Sequence, residues 1–143
     1  MGLVRGLLAG VVLALTAVFA VAAWLNPYEA DGTARRIATH QQLGLPPCTF
    51  AVVTGVPCPA CGMTTSFALL AHGDVANSLR ANWVGTLLAA FCALVLPWAA
   101  GGVVRGRPLF IRSMEKAILA VIITLLTLIM LRWVVVVAGI WLT

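Results

Sequence analysis

Apolar residues fall into three long, nearly unbroken runs, and the polar residues are gathered between them. The first run, residues 7–25, follows Arg5 and is closed by Asn26, Pro27 and Tyr28, which stop a helix and mark an interface. The second, residues 83–104, has Trp83 and Trp98 placed like interfacial anchors, and its Pro97 is tolerable where neighbouring groups take up the freed carbonyl. The third, residues 117–142, is interrupted by one charge, Arg132, and its length predicts a tilted span or a helix that extends past one interface. Each run is long enough to cross a bilayer as a helix, for which about 20 residues suffice.

Between Gly62 and His72 the pattern changes. Met63, Phe67 and Leu70 recur at i, i+4 and i+7, which predicts a short amphipathic helix lying at or dipping into the interface. Asp74 is placed to cap a second short helix running to Arg80, and Asn82 to cap the second span. The expected fold is therefore an all-α integral membrane protein with three transmembrane helices. Short interfacial helices lie in the loop between the first two, and residues 1–143 form a single membrane domain.

Composition agrees with this reading. The chain is 62% hydrophobic and 9% charged, with a mean hydropathy of +1.07, too few charges to solvate the surface of a globule. A net charge of +5 is spread over loops beside the apolar runs, without the basic stripe that nucleic acid requires. A cleavable signal peptide is the competing reading of the first run, since Ala20, Val21 and Ala22 resemble a cleavage site. The run is long for that role, so an uncleaved anchor is expected.

The basic residues set the orientation. Arg5, Arg105, Arg107, Arg112 and Lys116 would share one side, against Arg35, Arg36 and Arg80 in residues 26–82. The richer side is expected in the cytoplasm, which places the N-terminus inside and residues 26–82 outside.

Three of the four cysteines lie in that outer segment, held among turn-forming residues: Cys48 after Pro46 and Pro47, then Cys58-Pro59-Ala60-Cys61-Gly62. The C-x-x-C spacing brings two sulfurs within reach of each other or of one ion. A helix starting after Gly62 would offer its free N–H groups to their thiolates. Three chemistries fit. Cys58 and Cys61 could form a redox pair with Cys48 as partner. Cys48, Cys58 and Cys61 could bind zinc or copper(I), with His72 or His40 as fourth ligand, although His72 would lie about 16 Å along an unbroken helix. A disulfide stapling the loop is the plainest alternative.

Cys92, inside the second span, reads as a packing residue. Thr64, Thr65 and Ser66 lack an activating partner in sequence and read as hydroxyls satisfying helix carbonyls. Arg132 is costly in an apolar span unless it snorkels, meets water or pairs. It is expected to reach the short helix after Cys61, either by pairing with Asp74 or by bonding carbonyls at that helix's C-terminal end.

The stretch from Cys48 to Asn82 resembles a bacterial family of small multi-span membrane proteins of unknown function, with the signature C…T-G-x-x-C-P-x-C-G-x-T-R. The matching positions are Cys48, Thr54, Gly55, Cys58, Pro59, Cys61, Gly62, Thr64, Gly73 and Asp74. Thr65 stands where the family has Arg, and Trp83 where it has Pro, so Arg132 or Arg80 would replace the missing charge. The resemblance implies a fold and a site and no settled activity.

The function expected from these readings is that of an accessory protein. Its cysteine site, a disulfide or a metal, presents the short helices to a membrane partner or to another copy of the chain. A membrane thiol–disulfide oxidoreductase using the Cys58/Cys61 pair is the alternative. A transporter is disfavoured, because no inverted repeat or second buried charge accompanies Arg132.

Overall fold

A computed structural model describes residues 2–106 and 114–142. Arg107 and Arg112, both counted in the topology argument, lie outside the described residues. Five α-helices follow in chain order: α1 (Gly2–Trp24), α2 (Thr49–Thr54), α3 (Met63–Ala71), α4 (Val75–Arg105) and α5 (Met114–Leu142). A 3-10 helix, Thr39–Leu43, precedes α2. An isolated antiparallel bridge pairs Tyr28 with Ala34, and no strand occurs among the described residues. α1, α4 and α5 are each long and apolar enough to span a membrane, and the chain is a multi-pass membrane protein on that ground.

Two capping residues divide the helices after Cys61 as their chemistry predicts. Asp74 accepts the N–H of Asn77 at the start of α4 (3.1 Å), and a second bond from the Asn77 amide holds it in place. Asn82 then leaves the helical region (φ −158°, ψ 99°) and its Oδ1 accepts the N–H of Gly85 at 3.1 Å. Helix α4 is thus a short helix, 75–81, joined through a capped kink to a span, 83–105. The kink has a named cause: an asparagine side chain replaces backbone bonds.

α1 and the span of α4 run antiparallel. At one end Arg5 donates to the last carbonyls of α4, Val103 (2.8 Å) and Val104 (3.0 Å), where a cation also meets the negative end of the helix dipole. At the other end Phe19 of α1 stacks on Phe67 of α3 at 6.1 Å, and Tyr28 donates to Asp74 at 3.3 Å. Asp74 is held below the usual carboxylate range, chiefly by the Asn77 side chain and N–H.

The core is unusually polar for a protein this hydrophobic. Thr39, Thr65, Ser66, Ser78, Asn82 and Thr86 are all buried beside Leu25, Leu69 and Val84. Each is satisfied: Ser78 donates to the Ser66 carbonyl (2.8 Å) and shares a 2.7 Å bond with Thr86, while Thr39 donates to Thr65 (2.9 Å). Among the described residues no buried side-chain N or O lacks a partner, as burial of polar groups away from water requires.

This network sets how closely α3 can approach α4. Gly85 faces Met63 and Ser66 where a Cβ would collide with the Ser66 hydroxyl and come within 2.9 Å of the Met63 sulfur. α3 therefore lies in a notch in the span.

Candidate functional site

The cysteines sit where α3, the kink of α4 and α5 meet. Cys48 precedes α2. Cys58 and Cys61 occupy a tight turn in which the Cys61 N–H bonds to the Cys58 carbonyl (3.0 Å) and the Cys58 N–H bonds to the Cys61 sulfur (3.2 Å). Gly62 then turns the chain into α3 with φ 85°, a conformation that favours glycine. A Cβ there would lie 2.8 Å from the Ala81 carbonyl oxygen and 2.9 Å from that of Arg36, so only glycine fits between the two backbones.

The three sulfurs converge. The Sγ atoms of Cys48, Cys58 and Cys61 all lie within 4.8 Å of one another, and those of Cys58 and Cys61 are 3.2 Å apart. They are half-buried thiols, beside a cavity of about 480 Å³ lined also by His40, Gln41, Ala60 and Thr65. His40 is on that wall, with its Nε2 3.3 Å from the Pro46 carbonyl oxygen.

His72 is not gathered with the cysteines. It caps the far end of α3, where its Nδ1 lies 2.8 Å from the Ala68 carbonyl oxygen and its ring packs edge-on against Tyr28. Thr64 lines the cavity, whereas Ser66 returns its hydroxyl to the Met63 carbonyl at 2.8 Å.

The thiols are electrostatically unequal. Burial, and next the neighbouring Cys58 thiol, push the Cys61 thiol up to about 12. The Cys48 thiol is instead held below its ordinary value, first by the Ala51 N–H and then by the Cys58 thiol. The expectation that backbone N–H groups at a helix start would favour thiolates of the C-x-x-C pair is thus corrected at Cys61. Its sulfur is half-buried and receives the Cys58 N–H rather than an N–H at the start of α3, while the Ala51 N–H of α2 serves Cys48.

α5 closes the site from the side. Arg132 donates to the Ala81 carbonyl at 3.1 Å, beside the turn that carries Cys61. Trp133 donates its indole N–H to the Pro57 carbonyl (2.9 Å) and meets Phe50 of α2 edge-on at 6.2 Å. Arg132 does reach carbonyl oxygen at a helix end, but that of helix 75–81 and not of α3. Asp74, the other expected partner, is taken by Asn77 and Tyr28. Asn82 completes the frame by donating to the Cys61 carbonyl at 3.2 Å.

Arg132→Leu is expected to cost about 1.5–3 kcal/mol, the worth of a hydrogen bond to a charged group. It should also speed alkylation of Cys58 and Cys61, with Arg132→Lys intermediate. Thermal unfolding in detergent and timed thiol labelling check this, and an unchanged variant in both would refute the role.

Sequence reasoning missed α2, the 3-10 helix and the buried Thr39. The six residues of α2 are too few to show a helical period, and Thr39 gains its meaning only from Thr65, 26 positions away. A signal for α2 existed in Gly55, which ends it in a left-handed turn (φ 71°).

Residues 48–96 match the model of a family described as "Protein of unknown function (DUF2752)". The match begins at the first cysteine of the cluster and runs through both short helices into the second span. No curated protein matches the chain, and no solved structure does.

Proposed function

We propose that this is a small accessory protein of a bacterial inner membrane that holds one soft metal ion, zinc or copper(I), between Cys48, Cys58 and Cys61 and presents it to a membrane partner. The observation that carries this reading is the convergence of three sulfurs, from two separate segments, within 4.8 Å. A stapling disulfide joins two sulfurs and gives the third no reason to be there. Three thiolates are a donor set for soft ions, and a site with three protein ligands keeps a position open for an exchangeable fourth. Here that position would face the cavity that His40 also lines. In this reading the N-terminus is cytoplasmic, residues 26–82 are extracytoplasmic, and the whole chain acts as one unit.

Metal analysis of the purified full-length protein, with native and denaturing mass spectra before and after alkylation, tests it. The expected result is about one ion per chain, near complete loss in Cys48→Ser, and three loop thiols alkylated once denatured. A metal-free protein two mass units light with a single free loop thiol would overturn it.

A second reading, thiol–disulfide exchange, is favoured by the short Cys58–Cys61 separation and by the contrast between the Cys48 and Cys61 thiols. The Cys48 thiolate would attack the Cys61 sulfur of a Cys58–Cys61 disulfide, forming a Cys48–Cys61 bond and releasing Cys58 as the thiolate, because Cys61 is the poorer leaving group. The same mass measurement, repeated across a series of redox buffers, separates it from the metal reading.

A further inference from the structure

One wall of the cavity beside the three sulfurs is built by the chain ahead of Cys48, and that wall is pinned at several points. The Arg36 carbonyl passes Gly62 so closely that a Cβ there would lie 2.9 Å from its oxygen. Thr39 is fully buried and donates its hydroxyl to Thr65 of α3 at 2.9 Å. Gln42 accepts the Asn26 N–H at 3.0 Å and donates back to the Asn26 carbonyl. Between Arg36 and Thr39, Ala38 takes a left-handed conformation (φ 74°, ψ 3°), the one positive φ outside glycine among the described residues. An alanine keeps that shape only where its surroundings impose it. Here it turns Thr39 into the core and leaves His40 on the cavity wall.

The His40 ring is also fixed in its chemistry. Its Nε2 lies 3.3 Å from the Pro46 carbonyl oxygen. A carbonyl only accepts, so in the neutral ring Nε2 carries the proton and Nδ1 the lone pair. Metal-binding histidines have this arrangement, one ring nitrogen donating to a carbonyl or carboxylate so that the other is held ready as the ligand. Pro46 stands two residues before Cys48, so the backbone that orients the ring also carries the first thiol. Among the described residues that line the cavity, no other donor is as well placed. The soft sulfur of Met63 is lodged over Gly85, and His72 lies at the far end of α3. His40 stands outside the group of sulfurs that lie within 4.8 Å of one another, so the ring borders the three thiols and joins them only when the wall is drawn inward.

We infer that His40 is the fourth ligand of the cysteine site, binding through Nδ1, and that it is the residue that tips the site toward zinc and away from copper(I). Copper(I) is a soft ion that thiolates alone satisfy. Zinc takes four nitrogen and sulfur ligands in a tetrahedron, and three cysteines with one histidine are among its usual sets. The imidazole therefore adds to the binding of zinc what copper(I) does not need. This inference rests on the metal reading and deepens it, by naming the ion and the side chain that selects it.

The test uses the full-length protein in detergent, reduced and then loaded with zinc, cobalt(II) or copper(I), each affinity being read by competition with a chelator. His40→Ala is expected to weaken zinc by more than about 100-fold, beyond the roughly 10–100-fold that loss of a merely orienting partner costs, and to leave copper(I) affinity unchanged. Its cobalt(II) form should keep the charge-transfer absorption of three thiolates while the visible ligand-field bands shift. His40→Cys should restore zinc binding and add a fourth thiolate to that absorption, a rescue that a structural role for His40 would not give. His72→Ala should match the wild type. An unchanged zinc affinity and cobalt(II) spectrum in His40→Ala would overturn the inference and leave the metal reading standing. Equal losses of zinc and copper(I) that His40→Cys does not restore would also overturn it, since they would mark a folding defect. A wild-type protein that binds neither zinc nor cobalt(II) would overturn the metal reading and this inference together.

Discussion

Asn82→Ala should lower stability by about 3 kcal/mol and expose the cysteine turn to alkylation in the same step. The side chain is buried and makes two bonds that do different jobs: its Oδ1 accepts the Gly85 N–H that opens the span, and its Nδ2 donates to the Cys61 carbonyl. Losing a cap costs about 1 kcal/mol, and each buried group left without a partner adds about 1–3 kcal/mol. Asn82→Asp separates the two roles, because a carboxylate still caps Gly85 but faces the Cys61 carbonyl oxygen without a proton to give. Because that carboxylate would be buried against a carbonyl oxygen, the aspartate variant should be at least as destabilised as the alanine variant and label as fast at Cys61. Equal unfolding temperatures for wild type and Asn82→Ala in detergent would refute the argument.

The second large effect is expected at Gly85. A side chain there must push against Met63 and Ser66, and the Ser66 hydroxyl is not a free end, since it is tied to the Met63 carbonyl. Gly85→Val should cost about 3 kcal/mol or more, the upper part of the range for overpacking a filled core, despite valine's higher helix propensity than glycine's. It should also loosen the Ser78–Ser66 bond that joins α4 to α3. Gly10→Val in α1, where no atom lies within 4 Å of the added carbon, is the control and should unfold with the wild type. Similar unfolding of both variants would show that the notch is not what holds α3.

What was legible in the sequence was local. The three spans follow from apolar runs, α3 from the spacing of Met63, Phe67 and Leu70, and the break at Asn82 from a residue whose side chain competes with the helix. Each of these signals lies within about two helical turns or one run. Arg132 shows the limit. Its cost in an apolar helix announces that it needs a partner, but the partner is a backbone carbonyl at Ala81, and carbonyls carry no signature in sequence. His72 shows the same limit from the other side. Its residue type suggests a ligand, yet the direction of α3 takes it to Tyr28 and away from the sulfurs. The meeting of Cys48 with the C-x-x-C pair depends on the path of residues 49–57, where α2 is too short to betray itself.

The bonds from Arg132 to Ala81 and from Trp133 to Pro57 join positions 51 and 76 residues apart, and this sets an order of assembly. The ribosome completes the cysteine loop and both short helices well before it makes α5, so the nascent chain passes through a stage in which the thiols have reached the membrane with one wall missing. A chain ending before residue 132 would lack both bonds, and with them the wall that α5 supplies to the cysteine turn. The third span is thus the step in biosynthesis at which the cysteine turn gains its last wall.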